Sequence, residues 1–120
     1  MAGTIVSDTV QDGTGNSCTT TQVVKGSARA WCNYNGSTQT ITSSYNISSV
    51  TRQSAGQYTF NFTTAMPVTP AAIAISGSSG YWTIVAGGYT YSTTAVSFAS
   101  YINGTGYADN TPFCMVAFAA

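Results

Sequence analysis

The stretch Ile47-Ser48-Ser49-Val50-Thr51-Arg52-Gln53-Ser54-Ala55-Gly56-Gln57-Tyr58-Thr59-Phe60-Asn61-Phe62-Thr63 decides the fold class. Its second half alternates strictly, with Tyr58, Phe60 and Phe62 on one side of an extended chain and Thr59, Asn61 and Thr63 on the other. A period of two in aromatic and β-branched residues marks a half-buried strand, and Ser54-Ala55-Gly56 supplies a turn. The spacing predicts an antiparallel hairpin, 47–53 with 57–63, that buries one side.

The same period extends in both directions. Upstream, Ala28, Ala30, Cys32 and Tyr34 alternate with Arg29, Trp31 and Asn33, and the run stops at Asn35-Gly36, a dipeptide suited to the positive φ angles of a tight hairpin. Paired strands are expected over 27–34 and 37–42. Downstream, Pro67 and Pro70 withhold backbone donors, so 65–70 is expected to cross between sheets. Further strands are expected at 71–76, 81–86, 89–93, 95–101 and 113–119, divided by Gly77-Ser78-Ser79-Gly80, by Gly87-Gly88 and by a longer loop over 103–112. The last strand is apolar on both sides, Phe113, Met115 and Ala117 against Cys114, Val116 and Phe118, which suits a central position or a neighbouring subunit. Short strands at regular spacing predict an all-β fold over 26–120, a single antiparallel β-sandwich of jelly-roll-like kind. Helix signals are almost absent, with no Glu and no Leu in 120 residues.

Residues 1–25 differ in character. Thr4, Ile5 and Val6 open a segment that continues through polar Asp12-Gly13-Thr14-Gly15-Asn16 to Thr19-Thr20-Thr21-Gln22-Val23-Val24, and the segment as a whole reads as a loose terminus plus an edge strand. The segment has too few apolar residues to fold alone, so an extended N-terminal arm is expected, with Thr4, Ile5 and Val6 as its docking or subunit-exchange residues.

Composition narrows function. Charged residues are 5% of the chain against roughly 25% in ordinary domains, and three basic residues balance three acidic ones. A surface wetted by hydroxyls and amides without net charge has little colloidal repulsion, which favours assembly into larger particles. Lys25, Arg29 and Arg52 are too few and too scattered for nucleic-acid binding. No run suits a membrane span or a signal peptide, so no membrane insertion or export is expected. Cys18, Cys32 and Cys114 lack metal-ligand spacing, and there is no His; free thiols behaving as small apolar groups are expected, with a Cys18–Cys32 bridge the alternative. Without His or Glu, and with Asp8, Asp12 and Asp109 the only side-chain carboxylates, the chain offers neither an activated serine nor a well-placed carboxylate pair, so neither catalysis nor a cofactor is expected. The Asp12 to Asn16 run is a turn without the closing Glu of a calcium loop.

Two segments resemble a known family. Lys25-Gly26-Ser27-Ala28-Arg29-Ala30-Trp31-Cys32-Asn33-Tyr34-Asn35-Gly36 is similar to the "AKAWVNFNG" segment of tail-fibre and related virion structural proteins of tailed bacteriophages, especially marine and cyanobacterial ones. Tyr45 to Thr51 and Gly56 to Met66 resemble that family's "YNVSSVTxxxxGDYTVNFTTAMP", with Gln57 where the family has Asp and Cys32 where it has Val. The opening Met1 to Val6 also looks like the start of such proteins. The resemblance implies a non-enzymatic virion protein, assembled in a host bacterial cytoplasm with other phage virion proteins. The expectation is a trimeric tail-fibre-type module that contacts the host cell surface, a receptor or its glycans; a capsid decoration protein and a tail adaptor are the alternatives. Aromatic faces stack on sugar rings while amides and carboxylates bond their hydroxyls. Among Tyr81, Trp82, Tyr89, Tyr91, Tyr101, Tyr107 and their polar neighbours, the long loop supplies the candidate contact residues: Asn103, Tyr107, Asp109 and Asn110.

Overall fold

A computed structural model describes residues 3–76, 81–85 and 90–119. The expected turns at 77–80 and 87–88, and Tyr89, lie outside them. The chain forms an all-β sandwich preceded by a small N-terminal unit. In chain order the elements are β1 (Thr9–Gln11), β2 (Ser17–Thr19), α1 (Thr20–Gly26), β3 (Ala30–Asn35), β4 (Thr40–Tyr45), β5 (Ile47–Ser54), β6 (Gln57–Phe62), β7 (Ala71–Ser76), β8 (Tyr81–Val85), β9 (Ala95–Ile102), β10 (Gly106–Tyr107) and β11 (Phe113–Phe118).

One sheet runs β4-β3-β11-β7, all antiparallel. The other is built on the long strand β9. Phe98 and Ala99 pair with β6 and also with β8, while Tyr101 and Ile102 pair with β8 and also with β10. A strand has two edges, so β10 continues the line of β6 and β8 occupies the opposite edge, with β5 beyond β6. The inward sides meet in one core. Ala30, Cys32, Tyr34, Phe113, Met115 and Ala117 come from the first sheet, and Tyr58, Phe60, Phe62, Val96 and Phe98 from the second. Phe60 stacks on Phe113 at 6.1 Å between ring centroids, and Tyr34 meets Tyr58 edge-on at 5.1 Å. The last strand is central, as its two apolar sides anticipated. Burial, before the nearby Cys114, pushes the Cys32 thiol up to about 11, so it packs as a neutral apolar group.

The sheets are joined at a corner made by one residue. Asn46 separates β4 from β5 and adopts φ 55°, a left-handed conformation that asparagine tolerates better than most residues. Its Nδ2 donates to the Arg29 and Thr64 carbonyls, at 3.1 Å each, and its Oδ1 accepts from the Thr64 N–H at 2.8 Å. The side chain thus pins the start of β3 and the exit of β6 to the bend, in a chain that switches sheets without a loop.

Several expectations need correction. The β3–β4 connection is not a two-residue Asn35-Gly36 turn: the left-handed residue is Gln39, at φ 58°. Gly36 is required for space instead, since a Cβ there would overlap the Asn110 carbonyl and the Tyr58 hydroxyl. The expected strand at 89–93 reduces, among the described residues, to a bridge at Tyr91, because the Ser92 Oγ accepts from the Thr94 and Ala95 N–H groups and curls the chain. Residues 20–26 form a short helix where helix signals are almost absent. Thr19 accepts from the Gln22 N–H and Gln22 returns a bond to the Thr19 N–H, closing a capping box. Finally, the outer side of β6 is buried at Thr59, which shares a hydrogen bond of 2.8 Å with buried Ser97 in mid-sheet, while Asn61 is half-buried and Thr63 exposed as expected.

Replacing Asn46 with Ala is expected to lower stability by about 2–3 kcal/mol, from lost bonds to backbone groups plus left-handed strain. Asn46→Gly, which keeps the conformation but not the bonds, should lose about 1 kcal/mol less. Urea unfolding midpoints at constant slope would check both.

Candidate functional site

The loop after β10 is anchored by a carboxylate. Asp109 Oδ1 accepts from Arg52 Nε at 3.0 Å, from the Gly56 N–H at 2.9 Å and from the Tyr58 hydroxyl at 2.6 Å; Oδ2 accepts from Arg52 Nη2 at 2.7 Å. The bidentate guanidinium fork fixes geometry as well as charge. The Arg52 bonds, opposed by partial burial and reinforced by Tyr58 and Gly56, hold the Asp109 carboxyl down at about 2. Burial first, then the adjacent carboxylate, pushes the Tyr58 phenol well above its ordinary value. Next in the chain, the Asn110 carbonyl accepts from the Gly36 N–H at 2.9 Å. The Thr111 hydroxyl donates to the Asn35 Oδ1 at 2.8 Å.

This geometry divides the four candidate contact residues. Asn103 lies exposed in the β9–β10 turn, and Tyr107 is 46% exposed, its ring edge-on to Tyr101 at 5.7 Å. Asp109 is not an open ligand group, because both carboxylate oxygens are engaged. Asn110 is buried rather than exposed, 2% accessible beneath the β3–β4 turn. Nothing in the sequence of the long loop signals Arg52, 57 positions from Asp109, which draws the second half of the loop inward. Register sets Trp82 of β8 and Tyr107 of β10 on either side of Tyr101. Tyr91 serves structure: its hydroxyl accepts from the Ala72 N–H and donates to the Pro70 carbonyl, both at 3.0 Å.

Thr4, Ile5 and Val6 are exposed, Ile5 and Val6 at 95% and 92%. The hairpin behind them is closed by Asp12, whose Oδ1 accepts from the Thr14 and Asn16 N–H groups and from the Thr14 hydroxyl, and whose Oδ2 accepts from the Asn16 amide. These bonds hold the Asp12 carboxyl far below the carboxylate range and turn its oxygens into the loop. Among the described residues no group of three or more His, Cys, Asp or Glu side chains is placed to hold a metal ion, and no helix is long and apolar enough to cross a membrane. Cys18, Cys32 and Cys114 are free.

No family model, no curated protein and no solved structure matches this chain.

Because the Asp109 carboxyl ionises at about 2 when folded and near 3.8 when exposed, its contribution is complete above pH ~4 and lost as pH falls toward 2. Asp109→Asn should therefore be less stable than wild type at pH 7, and the gap should close between about pH 4 and pH 2. Thermal unfolding of both proteins across that range checks this; the Asp12 turn leaves a residual acid dependence in the variant.

Proposed function

We propose that this chain is a non-enzymatic structural module on the surface of a tailed-bacteriophage particle, held by its N-terminal arm and presenting its opposite end to the host cell. The observation that carries the reading is this polarity. The arm enters β3 at Ala30, beside Ala117, whereas β3 leaves at Asn35 beside Phe113 and the loop that holds Asn110. Six residues of strand, roughly 20 Å, therefore separate an end with bare apolar side chains from an end with exposed Tyr107 and Asn103. The first suits protein docking, and the second suits contact with sugar rings and hydroxyls. The tail-fibre resemblance over 25–67 supports the same assignment, and trimeric copies would strengthen weak single contacts.

The reading predicts that labelled protein is found on tail appendages in electron micrographs and that purified protein coats host cells. Tyr107→Ala with Asn103→Ala should reduce coating at least tenfold with an unchanged far-ultraviolet circular dichroism spectrum. Labelling confined to the capsid, with no cell coating and with greater heat tolerance of bare capsids on addition, would instead establish a decoration role.

A further inference from the structure

The outer side of the β4-β3-β11-β7 sheet carries an apolar line fixed by register. Tyr45 opposes Trp31, Trp31 opposes Val116, and Val116 opposes Ile73. Directly opposed residues share a side, so the four cross all four strands. Trp31, Tyr45 and Ile73 are 41%, 58% and 57% exposed. Two positions along β11 on the same side, Phe118 opposes Ala71. There the line runs into a groove of about 270 Å³ bounded by Lys25, Val68, Thr69, Ala71, Phe118 and Ala119. A contiguous apolar patch on a protein surface often marks an interaction site.

The same chain carries a second bare apolar group, Ile5 and Val6, followed by Asp8. In extended chain Asp8 lies about 7 Å beyond Val6, so Ile5 and Val6 seated against Phe118 and Ala71 leave its carboxylate within reach of the Lys25 ammonium. Lys25 is the only lysine, and the ion pair found among the described residues is Arg52–Asp109, not one of these two. The groove and the segment do not meet within one copy. The Asp8 carbonyl accepts from the Thr20 N–H at the start of α1, while Lys25 sits in its last turn, and Ile5 and Val6 point to solvent. Area also argues for the segment. Four strands of about 4.8 Å spacing and six residues of about 3.3 Å rise give a face of roughly 400 Å², about half of the ~800 Å² per partner that stable interfaces bury.

We propose that residues 4–8 of one copy seat on the groove and apolar line of a second copy, with Ile5 and Val6 on the sheet and Asp8 against Lys25. The contact is heterologous, so it closes into a ring or runs on into a filament. It stands apart from the virion reading, because the purified chain alone suffices to form it.

Light scattering of the purified chain at high micromolar concentration is expected to give a multiple of the monomer mass. Ile5→Asp with Val6→Asp, and separately Ile73→Asp, should each give monomer with an unchanged far-ultraviolet circular dichroism spectrum. Asp8→Lys and Lys25→Asp should each weaken assembly at least tenfold, and the two together should restore it. A monomeric wild type, an assembly that survives Ile5→Asp with Val6→Asp, or a charge-reversed pair no better than its single variants would overturn the proposal.

Discussion

The hydrogen bond from the Tyr58 hydroxyl to Asp109 connects the two halves of the molecule's physics. The Tyr58 ring is fully buried against Tyr34 and Phe113, so the aromatic core fixes its direction. Its oxygen emerges where β3 turns and where the long loop returns to β11. A phenol held there without an acceptor would carry a desolvation cost of about 1–3 kcal/mol. The Asp109 carboxylate meets that demand and brings the loop with it. Arg52 then balances the charge, the Gly56 N–H fills the remaining acceptor direction, and Gly36 lies close above because it has no side chain. Packing in the core thereby sets the position of a loop that has few apolar residues of its own.

The arrangement also determines which part of the loop is available for contact. Everything from Asp109 to Thr111 is committed to Arg52, Gly36 and Asn35, while the β9–β10 hairpin stands clear, with Asn103 and Tyr107 at the surface. A rigid base under a short exposed tip gives little ordering cost on binding. The opposite end has the reverse character. Residues 9–26 fold through local bonds, the Asp12 turn and the Thr19–Gln22 capping box, and bury no side chain in the helix. The radius of gyration, 16.8 Å, exceeds the roughly 14 Å of a compact chain of this length.

How much of this was legible in the sequence follows from the range of the interactions. The β5–β6 hairpin was readable because its period and its turn lie within seventeen residues, and the central place of β11 because both its sides are apolar. The Thr19-x-x-Gln22 capping box was equally local, and the absence of Glu and Leu drew attention away from it. The Asn46 corner and the Asp109 anchor were not legible. A lone asparagine before Ile47 resembles any turn residue, and nothing near Asp109 in the chain announces Arg52. Gly36 was illegible for the same reason: its neighbours in sequence suggest backbone freedom, whereas its neighbours in space demand room.

The distribution of charge carries the synthesis one step further. Of six charged side chains, Arg52 and Asp109 neutralise one another, and Asp12 is spent within its own turn. Asp8, Lys25 and Arg29 remain, all within residues 8–29. The sandwich beyond β3 thus offers a partner hydroxyls, amides and apolar side chains, without long-range attraction or repulsion. Charge can discriminate between partners only at the arm end, where it is concentrated, because elsewhere there is nothing for it to act through. The bare apolar line from Tyr45 to Ile73 lies on that neutral sheet and leads into the groove beside Lys25. In the proposed assembly, hydrophobic contact there supplies adhesion that is blind to orientation, and the few charges at its end supply the direction.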